Sequence, residues 1–205
     1  MREAIVIIVL IAMALGAASA LPNPTFSICE PRYKYPERFR SFEEIDFRNR
    51  EIVVFGEGGH RLLAAKLQDG VFNARHSHSS DWVKLISATN FDDAGGRPRR
   101  ALLRLDYVST GASASDFGIV QIFELLDDHL VVSQQIMFNE RGGGAESSFS
   151  AKNGILTIKG IHGWEHCCPT TLDVGTFQWN ESRFKLMKTA SIPIPSTGGS
   201  NAAPR

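Results

Sequence analysis

Short runs of strand-forming residues, each closed by a turn signal, dominate the chain from Glu51 onward and restrict it to a β-rich fold. Ile52–Phe55 is β-branched and aromatic. Leu62–Leu67 and Val71–Ala74 flank Asp69-Gly70, a favoured hairpin dipeptide, and Trp82–Ala88 follows. Ile119–Leu126 and Leu130–Met137 flank Asp127-Asp128-His129. Asn153-Gly154 offers a turn between Ser148–Ala151 and Ile155–Lys159. Thr176–Trp179 and Arg183–Met187 flank Asn180-Glu181-Ser182 and supply Phe177, Trp179, Phe184 and Leu186 as core anchors. In Arg100–Tyr107, Leu103, Leu105 and Tyr107 share one face while Arg100, Arg104 and Asp106 share the other, the period of a half-buried strand. No helical period persists, although Ser41-Phe42-Glu43-Glu44 has capping-box spacing for one short helix. The spacing predicts an all-β antiparallel meander of about ten short strands forming a sandwich or barrel. An incomplete propeller-like sheet arrangement is the alternative, but no repeat of that period stands out.

The first twenty residues set the compartment. Arg2 is followed by an apolar run from Ala4 to Ala14 and by the small-residue site Ala18-Ser19-Ala20, the pattern of a secretory signal peptide. The run is too short to span a bilayer comfortably, and no basic stop-transfer flank follows Leu21-Pro22. The expected product is secreted or periplasmic, soluble after cleavage and free of a transmembrane segment. About 185 residues then remain, enough for one core. The chain carries 22 basic and 22 acidic residues, and cleavage removes one of each, so no net charge draws it to nucleic acid or to an anionic membrane.

Residues 21–40 read as an arm, punctuated by Pro22, Pro24, Pro31 and Pro36, in which Arg32, Lys34, Arg38 and Arg40 alternate with Tyr33, Tyr35 and Phe39. Such interleaving suits a polysaccharide, an anionic lipid surface or a nucleic acid. It better suits rings that pack the arm onto the domain while the charges face water. The domain proper is expected over 41–189, and residues 190–205, rich in Ser, Pro, Gly and Ala, read as a disordered tail.

Three cysteines, Cys29, Cys167 and Cys168, lie in a chain bound for an oxidising space. Cys29 with Cys167, Cys29 with Cys168 and a vicinal Cys167-Cys168 bond are all open, and each leaves one thiol over.

The elements Ile45-Asp46-Phe47-Arg48-Asn49, a glycine-bearing loop over 90–98, Cys167-Cys168-Pro169-Thr170 and the closing Phe177-Gln178-Trp179-Asn180-Glu181-Ser182-Arg183-Phe184 occur in this order. Together they resemble a group of uncharacterised bacterial secreted proteins, distantly similar to the LppP/LprE lipoproteins, over roughly residues 41–188. The resemblance implies an exported β-rich domain and brings no catalytic residue with it.

The densest reactive group is His162-Gly163-Trp164-Glu165-His166-Cys167-Cys168. Imidazole, carboxylate and thiolate suit zinc or copper, yet adjacent cysteines do not readily aim both sulfurs at one ion, and no C-x-x-C framework is present. His76-Ser77-His78 offers further nitrogens from a loop-like setting. Asp92 and Asp93 resemble a calcium turn, but Ala94 stands where a third ligand is needed and Arg97, Arg99 and Arg100 oppose the charge. G-x-S-x-G, H-E-x-x-H and phosphate-loop patterns are absent. The expected function is a non-catalytic binding or interaction module for an envelope protein, polysaccharide or small ligand, with no cofactor and with Trp164, His162, His166 and Trp179 as binding candidates. A metal- or thiol-dependent enzyme centred on His162, His166 and Cys167 or Cys168 is the alternative.

Overall fold

A computed structural model describes residues 25–91, 99–110, 115–139, 146–162 and 170–194. Residues 1–24, the aspartates at 92 and 93, the Trp164–Pro169 cluster and residues 195–205 of the stretch read as a tail lie outside the described residues.

Where the sequence alternates strand runs with turn dipeptides, the described chain forms strands, and every pairing between them is antiparallel. They are β1 (Phe26–Cys29), β2 (Tyr33–Arg38), β3 (Glu51–Phe55), β4 (Arg61–Lys66), β5 (Val71–Arg75), β6 (Ser80–Phe91) and β7 (Arg100–Thr110). After these come β8 (Ser115–Leu126), β9 (His129–Asn139), β10 (Glu146–Ser150), β11 (Ile155–Ile161), β12 (Thr171–Asn180) and β13 (Arg183–Pro193). Among the described residues the sheets are open and no helix reaches seven residues. The capping-box segment forms only a 3-10 turn over Phe42–Glu44, in which Glu44 accepts from the Arg40 N–H at 2.8 Å while Ser41 makes no side-chain cap.

Three layers result. The central sheet runs β1-β9-β8-β7-β6-β5, with β2 also paired to β9. On one of its faces Leu103, Leu105, Ile119 and Phe123 pack with Ile52, Val54 and Phe55 of the β3–β4 pair. On the other, Leu102, Val120, Ile136 and Phe138 pack with Leu156, Phe177 and Phe184 of the sheet β10-β11-β12-β13. Burial on both faces explains why β8 and β9 read as nearly continuous apolar runs. It also corrects the half-buried reading of Arg100–Tyr107. Its charged face lies under the four-stranded layer, where Arg104 is 7% exposed, pairs with Asp106 at 2.9 Å and stacks on Phe138 at 4.8 Å.

Two adjacent glutamines on β9 clamp the layers. Successive side chains on a strand point to opposite faces, so Gln134 and Gln135 reach different neighbours. Gln135 accepts from the Phe55 N–H at 3.1 Å and donates to the Phe55 carbonyl at 2.5 Å, and Gln121 donates to Gln135 at 2.8 Å and to the Val53 carbonyl at 2.7 Å. Gln134 makes the same two-bond pairing with Phe184, donating to its carbonyl and accepting from its N–H at 2.9 Å each. Each amide thus serves as a short piece of strand for a buried backbone that no neighbouring layer can pair.

Two connections depart from the sequence reading. The Asp69-Gly70 turn forms, with φ of 52° and 83°, and closes a Gln68–Val71 bridge. The flanking strands then separate, because β4 pairs with β3 and β5 pairs with β6, so the turn steers the chain from one layer to the next. The described part of the arm, from Thr25, supplies β1 and β2, although its prolines argue against regular elements. Proline is tolerated there because both strands lie at the sheet edge. As the alternation predicts, Tyr35 is buried and Arg32, Lys34, Arg38 and Arg40 are exposed. The Tyr35 hydroxyl accepts from the Val53 N–H at 2.9 Å, and the Arg50 guanidinium lies 4.9 Å from the Tyr35 ring and 5.1 Å from Phe39. β13 extends through Pro193, into the stretch assigned to the tail.

Candidate functional site

The arm runs along the outer edge of β9 in two pieces. β1 pairs with Gln135–Phe138 and β2 with His129–Val132, and between them the chain turns at Arg32, whose φ is +49°. A long side chain gains nothing from the left-handed region, and the conformation costs on the order of 1 kcal/mol or more. Beside this stretch lie two hairpin turns. Leu126 and His129 close the two-residue turn Asp127-Asp128, with φ of 50° and 63°, and Asn180 and Arg183 close Glu181-Ser182, with Glu181 at φ 55°. Glycine or asparagine fits such positions best.

The arm and the two turns enclose a cleft of about 630 Å³. The arm contributes Glu30, Arg32 and Lys34, the β8–β9 turn contributes Asp127, and the β12–β13 hairpin contributes Asn180, Glu181, Arg183 and Lys185. Three of the five described non-glycine residues with positive φ therefore line one cavity. Two of its carboxylates are matched: Glu30 accepts from Arg183 at 2.5 Å, and Glu124 lies 3.5 Å from the Arg100 guanidinium.

A second polar cluster surrounds Asp173, whose side chain is 7% exposed. Oδ2 accepts from the Thr25 hydroxyl and lies 2.8 Å from His162 Nδ1, while Oδ1 accepts from the Ser191 hydroxyl at 2.5 Å. Burial alone raises a carboxyl pKa, but the hydrogen bonds from Ser191, Thr25 and His162 outweigh it and hold Asp173 below its ordinary value of 3.8. A depressed folded-state value means the cluster stabilises the protein fully above the unfolded pKa and loses that contribution as pH falls through the folded one. Acid titration of stability should therefore steepen below pH 3.8, and Asp173→Asn should flatten that window while lowering stability at neutral pH by about 1–3 kcal/mol. Urea unfolding from pH 2 to 7 reads both.

Of the sequence candidates, His162 directly follows β11 with its ring oriented by Asp173, and its side chain is 44% exposed. Trp179 belongs to the core: it is 8% exposed, meets Phe91 and Phe184 edge-on and carries Arg100 at 4.9 Å from its ring. Cys29 is an unbridged thiol on β1, pushed up to about 11 by burial. Trp164, His166, Cys167 and Cys168 lie outside the described residues. His76 faces Asp81 at 3.4 Å, and Tyr107 donates to the same carboxylate at 3.1 Å. Among the described residues no three His, Cys, Asp or Glu side chains gather as metal ligands, and no helix is long and apolar enough to cross a membrane.

The sequence reading missed Asp173 with Thr25 and Ser191, and it missed the cleft. The usable signal for the cleft was the pair of charged two-residue turns where glycine is expected. Comparison with family models, with curated proteins and with solved structures finds no match to this chain, so the likeness to the LppP/LprE lipoproteins rests on the residues that suggested it.

Proposed function

We propose that this is a secreted or periplasmic, non-catalytic binding module whose small ligand, or the end of a polysaccharide, sits in the cleft between the arm and the two hairpin turns. The observation that carries this is the gathering of Arg32, Asp127 and Glu181, each at positive φ, around one cavity. Aspartate tolerates this region, so the strain falls on Arg32 and Glu181, and such strain clusters at functional sites. The volume falls inside the range of about 300–1,000 Å³ of small-molecule sites.

Amide NMR of the exported protein, titrated with a panel of sugars, sugar acids and amino acids, tests it. The amides of Arg32, Ser133, Asn180 and Glu181 should shift together and saturate with one ligand class. Saturable shifts confined to another face contradict the proposal.

A second reading, an enzyme using His162 with His166 and Cys167 or Cys168, draws support from the His162–Asp173 bond. That bond favours a proton on Nδ1 and leaves Nε2 as an acceptor for a proton or a metal. Zinc that copurifies with the protein and is lost in His162→Ala would replace the first reading with this one.

A further inference from the structure

We infer that the cleft takes a hydroxylated anion, a sugar acid or sugar phosphate, an inference that rests on the binding reading above and names its ligand class. The charges on the lining divide into spent and unspent groups. Glu30 is matched by Arg183 and Glu124 by Arg100, so neither carboxylate repels an incoming anion at full strength. Arg32 and Lys34 from the arm and Lys185 from β13 are exposed, and none has an ion-pair or side-chain hydrogen-bond partner among the described residues. Set against the two turn carboxylates Asp127 and Glu181, these three cations leave the unspent lining with a small positive excess, and their guanidinium and ammonium groups bind carboxylate or phosphate by charge-assisted hydrogen bonds.

The remaining lining sets the rest of the ligand. None of the described residues around the cleft is aromatic, which removes the stacking platform that a nucleobase needs. Asp127 and Glu181 are acceptors held on tight turns, and Asn180 adds an amide. Hydroxyl groups satisfy these acceptors without adding positive charge. An anion carrying several hydroxyls therefore uses both halves of the lining. A plain inorganic anion uses only the cations and leaves the two turn carboxylates facing it.

Four probes are titrated into the exported protein by amide NMR and calorimetry: trigalacturonate, glucose 6-phosphate, a neutral galactose trisaccharide and inorganic phosphate. The inference expects saturable binding of trigalacturonate or glucose 6-phosphate with shifts at Arg32 and Glu181, and which of the two binds more tightly separates carboxylate from phosphate. Affinity should fall with added salt, and Arg32→Gln and Lys185→Gln should each weaken it by about tenfold. Both side chains are exposed, and the variants should unfold like the parent. Neutral trisaccharide that binds in the cleft as tightly as the acid, unchanged in the charge variants, overturns the anion inference and leaves the cleft reading standing. Inorganic phosphate that binds as tightly as glucose 6-phosphate overturns the hydroxyl half. Probe-induced shifts only outside the cleft overturn both the inference and the reading beneath it.

Discussion

Gln135→Leu is expected to lower the unfolding free energy by about 3–5 kcal/mol, more than almost any surface substitution in this chain. Leucine fills a similar volume, so packing changes little. The loss comes from polar groups left behind: the Phe55 N–H and carbonyl each lose their partner, and Gln121 keeps only the Val53 carbonyl. A buried donor or acceptor without a partner costs about 1–3 kcal/mol. Gln134→Leu orphans the Phe184 N–H and carbonyl on the opposite face and should cost about 2–4 kcal/mol. Since the two clamps hold different layers, the double variant should sum the two losses to within about 0.5 kcal/mol. Urea denaturation of the four proteins measures this, and a loss under about 1 kcal/mol for either single variant removes the clamp from the account.

Phe177→Ala should cost about 3–5 kcal/mol through lost burial and the cavity left between the central and four-stranded sheets. Phe177 is fully buried and meets Phe26 edge-on at 5.5 Å between ring centroids. Its neighbour two residues back explains why the site collapses poorly. A Cβ on Gly175 would stand 2.7 Å from Phe26 Cε2 and 2.8 Å from Phe177 Cε2, so glycine is there to admit both rings. Gly175→Ala should therefore destabilise the parent by about 1–3 kcal/mol and cost clearly less beside Phe177→Ala, where one of the two clashing rings is gone. Equal costs in the two backgrounds would show that the rings do not set the close approach.

The all-β class and most strand runs were legible because turn dipeptides and period-two patterns are local signals. Phe177, Trp179 and Phe184 were readable as core for the same reason. Layering was not, since the alternation in Arg100–Tyr107 describes one covered face and cannot show that a second sheet covers Arg104 as well. Asp69-Gly70 was recognised as a turn, but which strands pair across it depends on what β3 and β6 offer elsewhere. Prolines in the arm argued against strands, whereas a sheet edge tolerates them. The cleft was hidden for a different reason: Arg32, Asp127, Glu181 and Lys185 are far apart in sequence, and only the meeting of the arm with two hairpins brings them together. His162 was visible as a reactive side chain. Its orienting partner Asp173 lies eleven residues on, across the β11–β12 pairing.

On the binding proposal, the Arg32 conformation is held at a cost for the sake of the cleft. The most direct measurement is the paired stability and affinity of Arg32→Gly, read by urea unfolding and by titration with the probe that shifts the cleft amides most. Glycine accepts φ of +49° without a Cβ penalty, so stability should rise by about 0.5–1 kcal/mol while affinity falls about tenfold. A variant that is less stable than the parent, or that binds the probe as tightly, would contradict the claim.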